Sequence, residues 1–404
     1  MHKKLFNRDF ILLMQGSAVS YLGDILYSVA ISYWVYANTG STTLMGLTAS
    51  ISMLVRMFLL PFAGSIIDRT DRRWMIVMMD AIRGVVLCIT GAIAFSGHLS
   101  ITVILITAFI AALCGTFFSP AINTALIDVI PHDEMMRGQS MSGTISSIIN
   151  LVGDAISGVL VVSLGVPLII VINGISYLLS ALTEVFIRLP KTSKQGEKIS
   201  IESVLIDMKE AIKKIFEDKA LKIFIPVAII INLLGAGSMD LFMAFILESG
   251  FDIEDYSVFA AAQTAASLLV VFILSVHNFS HKTRYLMFVG GFIGSGIFFL
   301  IAYNIRIFYI MLPALFIASA LNVLGNSVFS AALTLALPEG SRGAILGFFT
   351  AASVGGSALS SLLYGFLCDH FATWTIFSIG TILSIIPIIY MCLNKNSKRF
   401  ILEN

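Results

Sequence analysis

Asp24 and Arg56 are isolated ionisable residues set inside long apolar runs. A charge in hydrocarbon is costly and is usually kept for pairing, binding or proton transfer. The two lie equally far from Gly40, at the middle of the turn joining the first two runs, which places them at similar depth. A carboxyl whose pairing changes between conformations can take up and release a proton, so Asp24 is the leading candidate for proton coupling. The competing reading is a permanent Asp24–Arg56 pair that only fixes helix packing. Asp154 and Asp240 are deep enough to face the outer half of a cavity, where each either binds a cation or proton or serves as a structural carboxylate. Glu184 stands four residues before Arg188, the spacing of a simple helical ion pair.

A second constellation is A-G-S-I-I-D-R-T-D-R-R at 63–73, where Asp68, Arg69, Asp71, Arg72 and Arg73 crowd the rim of an apolar segment. Asp68 follows the carboxyl end of that segment, poorly placed against its own helix dipole, so it should seek another helix's amino terminus or an arginine. Arg342-Gly343 offers both. Gly64, one turn earlier, leaves room for a close helix approach. The expectation is a clasp that shuts the inner side, with Arg69, Arg72 and Arg73 pairing with Asp71, Asp80 or Asp128 and with lipid phosphates. The plainer alternative makes these arginines topology anchors.

The elements that must carry these groups follow from composition. Of 404 residues 57% are hydrophobic and only 12% charged, against roughly 25% charged in a soluble domain. Mean hydropathy is +0.94. Continuous apolar runs long enough to cross a bilayer as helices recur throughout, and they lack the ten-residue alternation of membrane strands. Breaks at Gly, Pro, Asn and charge clusters predict twelve spans at 9–37, 43–67, 74–96, 100–127, 138–163, 167–188, 219–247, 256–277, 283–303, 307–335, 342–367 and 372–393. The first lacks the cleavage site of a signal peptide and is expected to stay as a membrane helix.

The long polar stretch from Pro190 to Asp218 divides the spans into two sets of six: residues 1–189, a linker at 190–218, and residues 219–404. Ile201, Val204, Leu205, Met208, Ala211, Ile212 and Ile215 give the linker an apolar helical face. That suggests a surface helix on the membrane or bundle, or a solvated connector. I-P-H-D-E-M-M-R-G at 130–138, with Arg137, and L-P-E-G-S-R-G at 337–343 are half a chain length apart and each precedes a Gly- and Ser-rich span. The fold class is therefore an all-α membrane protein of twelve helices in two pseudo-symmetric six-helix bundles, a pattern of transporters with a midplane site between repeats. All of the 25 Lys and Arg except Arg56 and Arg306 are assigned to one side, its loops or the adjoining helix ends, which makes both termini and the linker cytoplasmic.

Other chemistry is excluded or weak. No G-x-x-x-x-G-K-[ST] loop is present, so ATP is not this chain's direct energy source. Four scattered cysteines and six scattered histidines make no metal pattern, no basic tract suggests nucleic acid, and no cofactor, metal or catalytic residue is expected. A cavity for amphipathic molecules would be mostly apolar with few polar anchors. Tyr21, Tyr27, Tyr33 and Trp34 on the first span, with Asn232, Phe242 and Phe245 on the seventh, are its candidate lining, although with thirty phenylalanines most aromatics face lipid or neighbours.

Gly64-x-x-x-Asp68-Arg69-x-Asp71-Arg72-Arg73 resembles the loop signature after the second helix of the major facilitator superfamily. Gly115-Thr116-x-Phe118-x-Pro120-Ala121, Ile187-Arg188-Leu189-Pro190-Lys191 and Asp71 narrow the likeness to the macrolide-efflux type of drug exporter. Relatives often carry an arginine where this chain has Ala112, and a G-P-x-x-G-G where it has Gly153-Asp154-x-x-Ser157-Gly158. The resemblance implies a monomeric, multi-pass protein of the bacterial cytoplasmic membrane, with small-molecule substrates, protons and lipids as partners. It implies alternating-access export of small amphipathic compounds, coupled to proton entry. Export of an endogenous metabolite such as a siderophore, or nutrient import, is the alternative.

Overall fold

The computed structural model describes residues 5–67, 69–190, 201–218, 221–277, 279–337 and 342–394. Among them twelve helices are long and apolar enough to span a membrane, and there are no strands. In chain order the helices are α1 (Arg8–Thr39), α2 (Thr42–Ile67), α3 (Arg72–Phe95), α4 (Ile101–Val129), α5 (Met135–Leu164) and α6 (Val166–Glu184). After the linker helix α7 (Ile201–Glu217) come α8 (Leu221–Asp240), α9 (Phe242–Glu248), α10 (Ile253–Val276), α11 (His281–Asn304), α12 (Phe308–Ala336), α13 (Arg342–Cys368) and α14 (Thr373–Leu393). The expected seventh span is thus interrupted at Leu241, and the sixth stops at Glu184.

Helix ends follow local chemistry. The Asn7, Asp71 and Ser100 side chains accept the backbone N–H groups of Phe10, Trp74 and Val103, capping α1, α3 and α4. Gly40 closes α1 at a φ of 63°, a left-handed conformation that favours glycine.

The chain forms two compact units, Met1–Gly40 with Ile51–Glu202, and Ser41–Ser50 with Ser203–Asn404. In the first, α3 crosses α6 where side chains are absent: a Cβ on Gly84 would meet Leu178 and the Gly174 carbonyl, and one on Gly91 would meet Val171. Gly16 and Gly23 open the same kind of seam between α1 and α6, against Ser180 and Asn173. Such small-residue contacts are how helices associate where water expulsion offers little.

The second unit packs around aromatic rings. Phe245 sits with its ring centroid 5.3 Å from that of Tyr303 and 5.5 Å from that of Phe377. The linker helix α7 lies on this unit, burying Ala211 and Ile215 beside Leu221, Leu333, Leu337 and Ile345, while Lys213 and Glu217 pair on its outer face at 3.9 Å. The first turn of α2 also belongs here. Asp369, just past α13, accepts from Ser41 Oγ at 2.8 Å, Thr42 N at 2.6 Å, Thr42 Oγ1 at 2.8 Å and Thr43 N at 3.2 Å. Burial of Asp369 opposes its charge, but the hydrogen bonds from Thr43, Thr42 and Ser41 outweigh it and hold the carboxyl below its ordinary range.

Candidate functional site

The first unit encloses a cavity of about 610 Å³. Its wall takes Tyr21, Asp24 and Tyr27 from α1, Arg56 from α2, Arg83 from α3, Gly115 and Phe118 from α4, Ser142 and Ser146 from α5, and Asn173 and Tyr177 from α6. Gly23 lets α6 come so close that Asn173 stands beside the next residue of α1, Asp24. The Asp24 carboxylate accepts from Tyr177 Oη at 2.6 Å and from Asn173 Nδ2 at 3.2 Å.

Behind Tyr177 lies a cation that the sequence reading assigned to the cytoplasmic side. Arg83 is 7% exposed; its Nη1 donates to Tyr177 Oη at 3.1 Å and lies 3.7 Å from Asp80 Oδ1. Its guanidinium carbon sits 4.9 Å from the ring centroid of Phe118 and 5.1 Å from that of Tyr177. Gly115 gives it space, since a Cβ there would stand 2.9 Å from Arg83 Nη2. Gly115-Thr116-x-Phe118 therefore works as a seat for an arginine reaching over from α3. Ala112, where relatives often carry an arginine, lines the same cavity. The cations on this cavity come from α2 and α3, as Arg56 and Arg83.

Several expectations are corrected. Among the described residues no Asp24–Arg56 ion pair forms; Arg56 lines the cavity as an exposed side chain, and Asp24 is held by α6. Asp80 is not a rim residue but fully buried beside Arg83. Glu184 does not pair with Arg188. It is 1% exposed and accepts from Ser180 Oγ at 3.2 Å, while the Arg188 backbone N–H donates to Asp9 at 3.2 Å. Asp154 is half-buried on α5 and does not line this cavity. Tyr21 does, exchanging hydrogen bonds with Asn150, and so does Tyr27, but Tyr33 and Trp34 do not.

In the second unit, Asp240 accepts a short hydrogen bond from Ser361 across the α8–α13 seam. Asn232 borders a pocket of about 240 Å³ with Phe288, Phe292 and Phe329. Phe242 and Phe245 are buried in the aromatic core, so they hold α9 in place rather than face a ligand.

Of the rim charges, Arg72 and Asp128 pair at 2.5 Å and tie α3 to α4. Asp71 caps α3, Arg73 lies 5.4 Å over the Trp74 ring, and Arg137 pairs with Glu134 at 3.4 Å. The Arg69 backbone N–H donates to Ile66. Asp68, the expected centre of the clasp, lies outside the described residues. Arg342 and Gly343 begin α13 exposed, and no atom comes within 4 Å of a Cβ built on Gly64 or Gly343.

The sequence pattern of the Major Facilitator Superfamily matches residues 13–361. The chain belongs to this superfamily. Macrolide efflux protein A of Streptococcus pyogenes is 22% identical over 212 residues, 52% of each chain. A putative bacilysin exporter, BacE, of Bacillus subtilis strain 168 is 28% identical over 205 residues, 50% of each. The matches thus span about half the length of these curated relatives. The crystal structure of the nucleoside transporter NupG superposes with a TM-score of 0.73 at 15% identity, covering 96% of this chain and 99% of that one. That likeness concerns the fold shared by the superfamily. The chain is accordingly a member of this superfamily with twelve helices, among the described residues, long and apolar enough to span a membrane.

Proposed function

We propose that this transporter exports small amphipathic compounds by alternating access and that proton entry drives it, with Asp24 as the coupling carboxyl. The observation that carries the reading is the setting of Asp24: it opens onto a cavity lined by both polar and apolar side chains while Tyr177 and Asn173 fix both its oxygens. A proton arriving from the cavity would replace one charge-assisted hydrogen bond and free Arg83 from the electrostatic pull of Asp24. That gives the two protonation states different preferred arrangements, which is what a coupling site needs. The efflux proteins named above support export. Placement in the bacterial cytoplasmic membrane, inward-facing termini, a monomeric working state and the Asp68 clasp at the inner rim belong to the same proposal.

A second reading, export of a self-made metabolite, is favoured by one feature: the cavity displays Arg56 and Arg83 as well as Asp24, which suits compounds carrying both charges. The deciding experiment uses proteoliposomes with an imposed pH gradient, ethidium and a macrolide as probes, and Asp24→Asn. Gradient-driven movement should fall at least about tenfold in the variant. Equal rates with and without the gradient, unaffected by Asp24→Asn, would sink proton coupling.

A further inference from the structure

The buried charges behind the cavity do not balance. Arg83 is the one guanidinium in this network, and three carboxyl groups surround it: Asp24 through Tyr177, Asp80 at 3.7 Å, and Glu184 on the neighbouring helix. Asp80 is 0% and Glu184 1% exposed. Neither Asp80 oxygen has a hydrogen-bond partner among the described residues, nor has Glu184 Oε2. Gly16 brings α1 tightly over this spot, where a Cβ would stand 2.6 Å from Ser180 Oγ and 3.4 Å from Glu184 Oε1. Two buried acids with almost no donors of their own thus lie under a close helix crossing.

Burying a carboxylate without donors or a full counter-charge is strongly unfavourable, and one cation cannot offset three anions. The other titratable groups facing the cluster are Tyr27 and Asp24 on α1, Cys114 on α4 and Tyr177 on α6, none of them cationic. We propose that Asp80 and Glu184 form a second proton-holding site, linked to Asp24 through Arg83 and Tyr177. In this arrangement Arg83 is a shared counter-charge. When Asp24 is ionised it draws Arg83 forward, and the rear pair keeps its proton. When Asp24 is neutralised, Arg83 is released toward Asp80. Only the Asp24 O–H bond forms or breaks, its proton exchanged with water in the cavity, and the rear pair keeps its own proton in both states. The existence of the rear site stands on geometry; its part in transport rests on the coupling proposed above.

Infrared spectra of the full chain in lipid vesicles at neutral pH test this through the carbonyl stretch of un-ionised carboxyl groups, identified by its shift in heavy water. The expected band loses at least about half its intensity in Asp80→Asn or Glu184→Gln. In Asp24→Asn it keeps its intensity but moves in frequency, because Arg83 then shifts. Should Asp80→Asn fail to fold, the more isosteric Glu184→Gln carries the test, and Arg83→Lys, which removes no acid, should also move the band. Absence of the band, or its survival in both acid variants, overturns the proposal. An unmoved band in Asp24→Asn overturns the link. Loss of the band on replacing potassium by sodium at fixed pH would mean that a metal ion occupies the site, and overturns it too. Dye transport in the same vesicles separates the two readings. Gradient-independent transport with the band intact sinks only the coupling, whereas coupled transport without the band sinks only the rear site.

Discussion

The two units are built from similar numbers of similarly apolar helices, yet they bury different chemistry. The first seals Asp80, Arg83 and Glu184 inside its helix crossings and aims Asp24 at a cavity. The second packs the rings of Phe245, Phe377 and Tyr303 together in its interior, and its Asp240 accepts a hydrogen bond from one serine. A glycine seam admits helices to close approach in both, at Gly23 against Asn173 and at Gly237 against Ser360. Close packing is therefore common to the units, whereas the charged side chains fully buried among the described residues, Asp80, Arg83 and Glu184, all lie in the first. That division separates a unit whose interior holds ionisable groups from a unit whose interior is held by rings.

The contrast can be broken most severely at Asp24. Asp24→Asn should abolish gradient-driven transport in proteoliposomes while leaving thermal unfolding near that of the unaltered protein. Phe245→Ala should do the opposite, costing about 3–5 kcal/mol of stability by emptying a closed aromatic site, seen in denaturation curves, with the pH dependence of transport unmoved. If Phe245→Ala shifts that pH dependence, the division of labour is wrong. Tyr177→Phe removes both the donor to Asp24 and the acceptor for Arg83. It should cost about 1–3 kcal/mol and slow coupled transport several-fold, read as initial rates across a pH series.

The smallest effect belongs to Asp369. Its carboxyl is held below the ordinary value of about 3.9, so its contribution is complete above that pH and disappears as pH falls through the lower, folded value. Asp369→Asn should lower the melting temperature by about 1–3 °C at pH 7. The difference between variant and unaltered chain should vanish in strong acid. A constant difference down to pH 2 would show that the hydrogen bonds do not depend on the charge.

The spans were legible because hydrocarbon leaves no other way to satisfy a backbone, and Asp24 was legible because it stands alone in an apolar run. The Arg72–Asp128 pair at the rim was also within reach of sequence reasoning. Arg83 was not, because D-A-I-R at 80–83 is close enough to the basic rim to pass for part of it. The signal available was the i,i+3 spacing of Asp80 and Arg83 in an otherwise uninterrupted apolar segment, facing a glycine, Gly115, on the next span. Glu184 was misassigned because spacing along one helix favoured Arg188, whereas the fold ends α6 at that residue and turns the side chain inward. Aromatic type alone could not separate Tyr21, on the cavity, from Phe245, in the core.

The bare backbone at Gly16 and Gly23 has a practical corollary for anyone seeking a sturdier version of this transporter. Exchanging a helical glycine for alanine ordinarily gains up to about 1 kcal/mol from helix propensity and is a routine early choice in thermostabilisation libraries. At these two sites the sign reverses, because the added methyl would wedge apart α1 and α6, the helices that hold Asp24 in place. Libraries that spare them should yield hardier protein with its turnover intact.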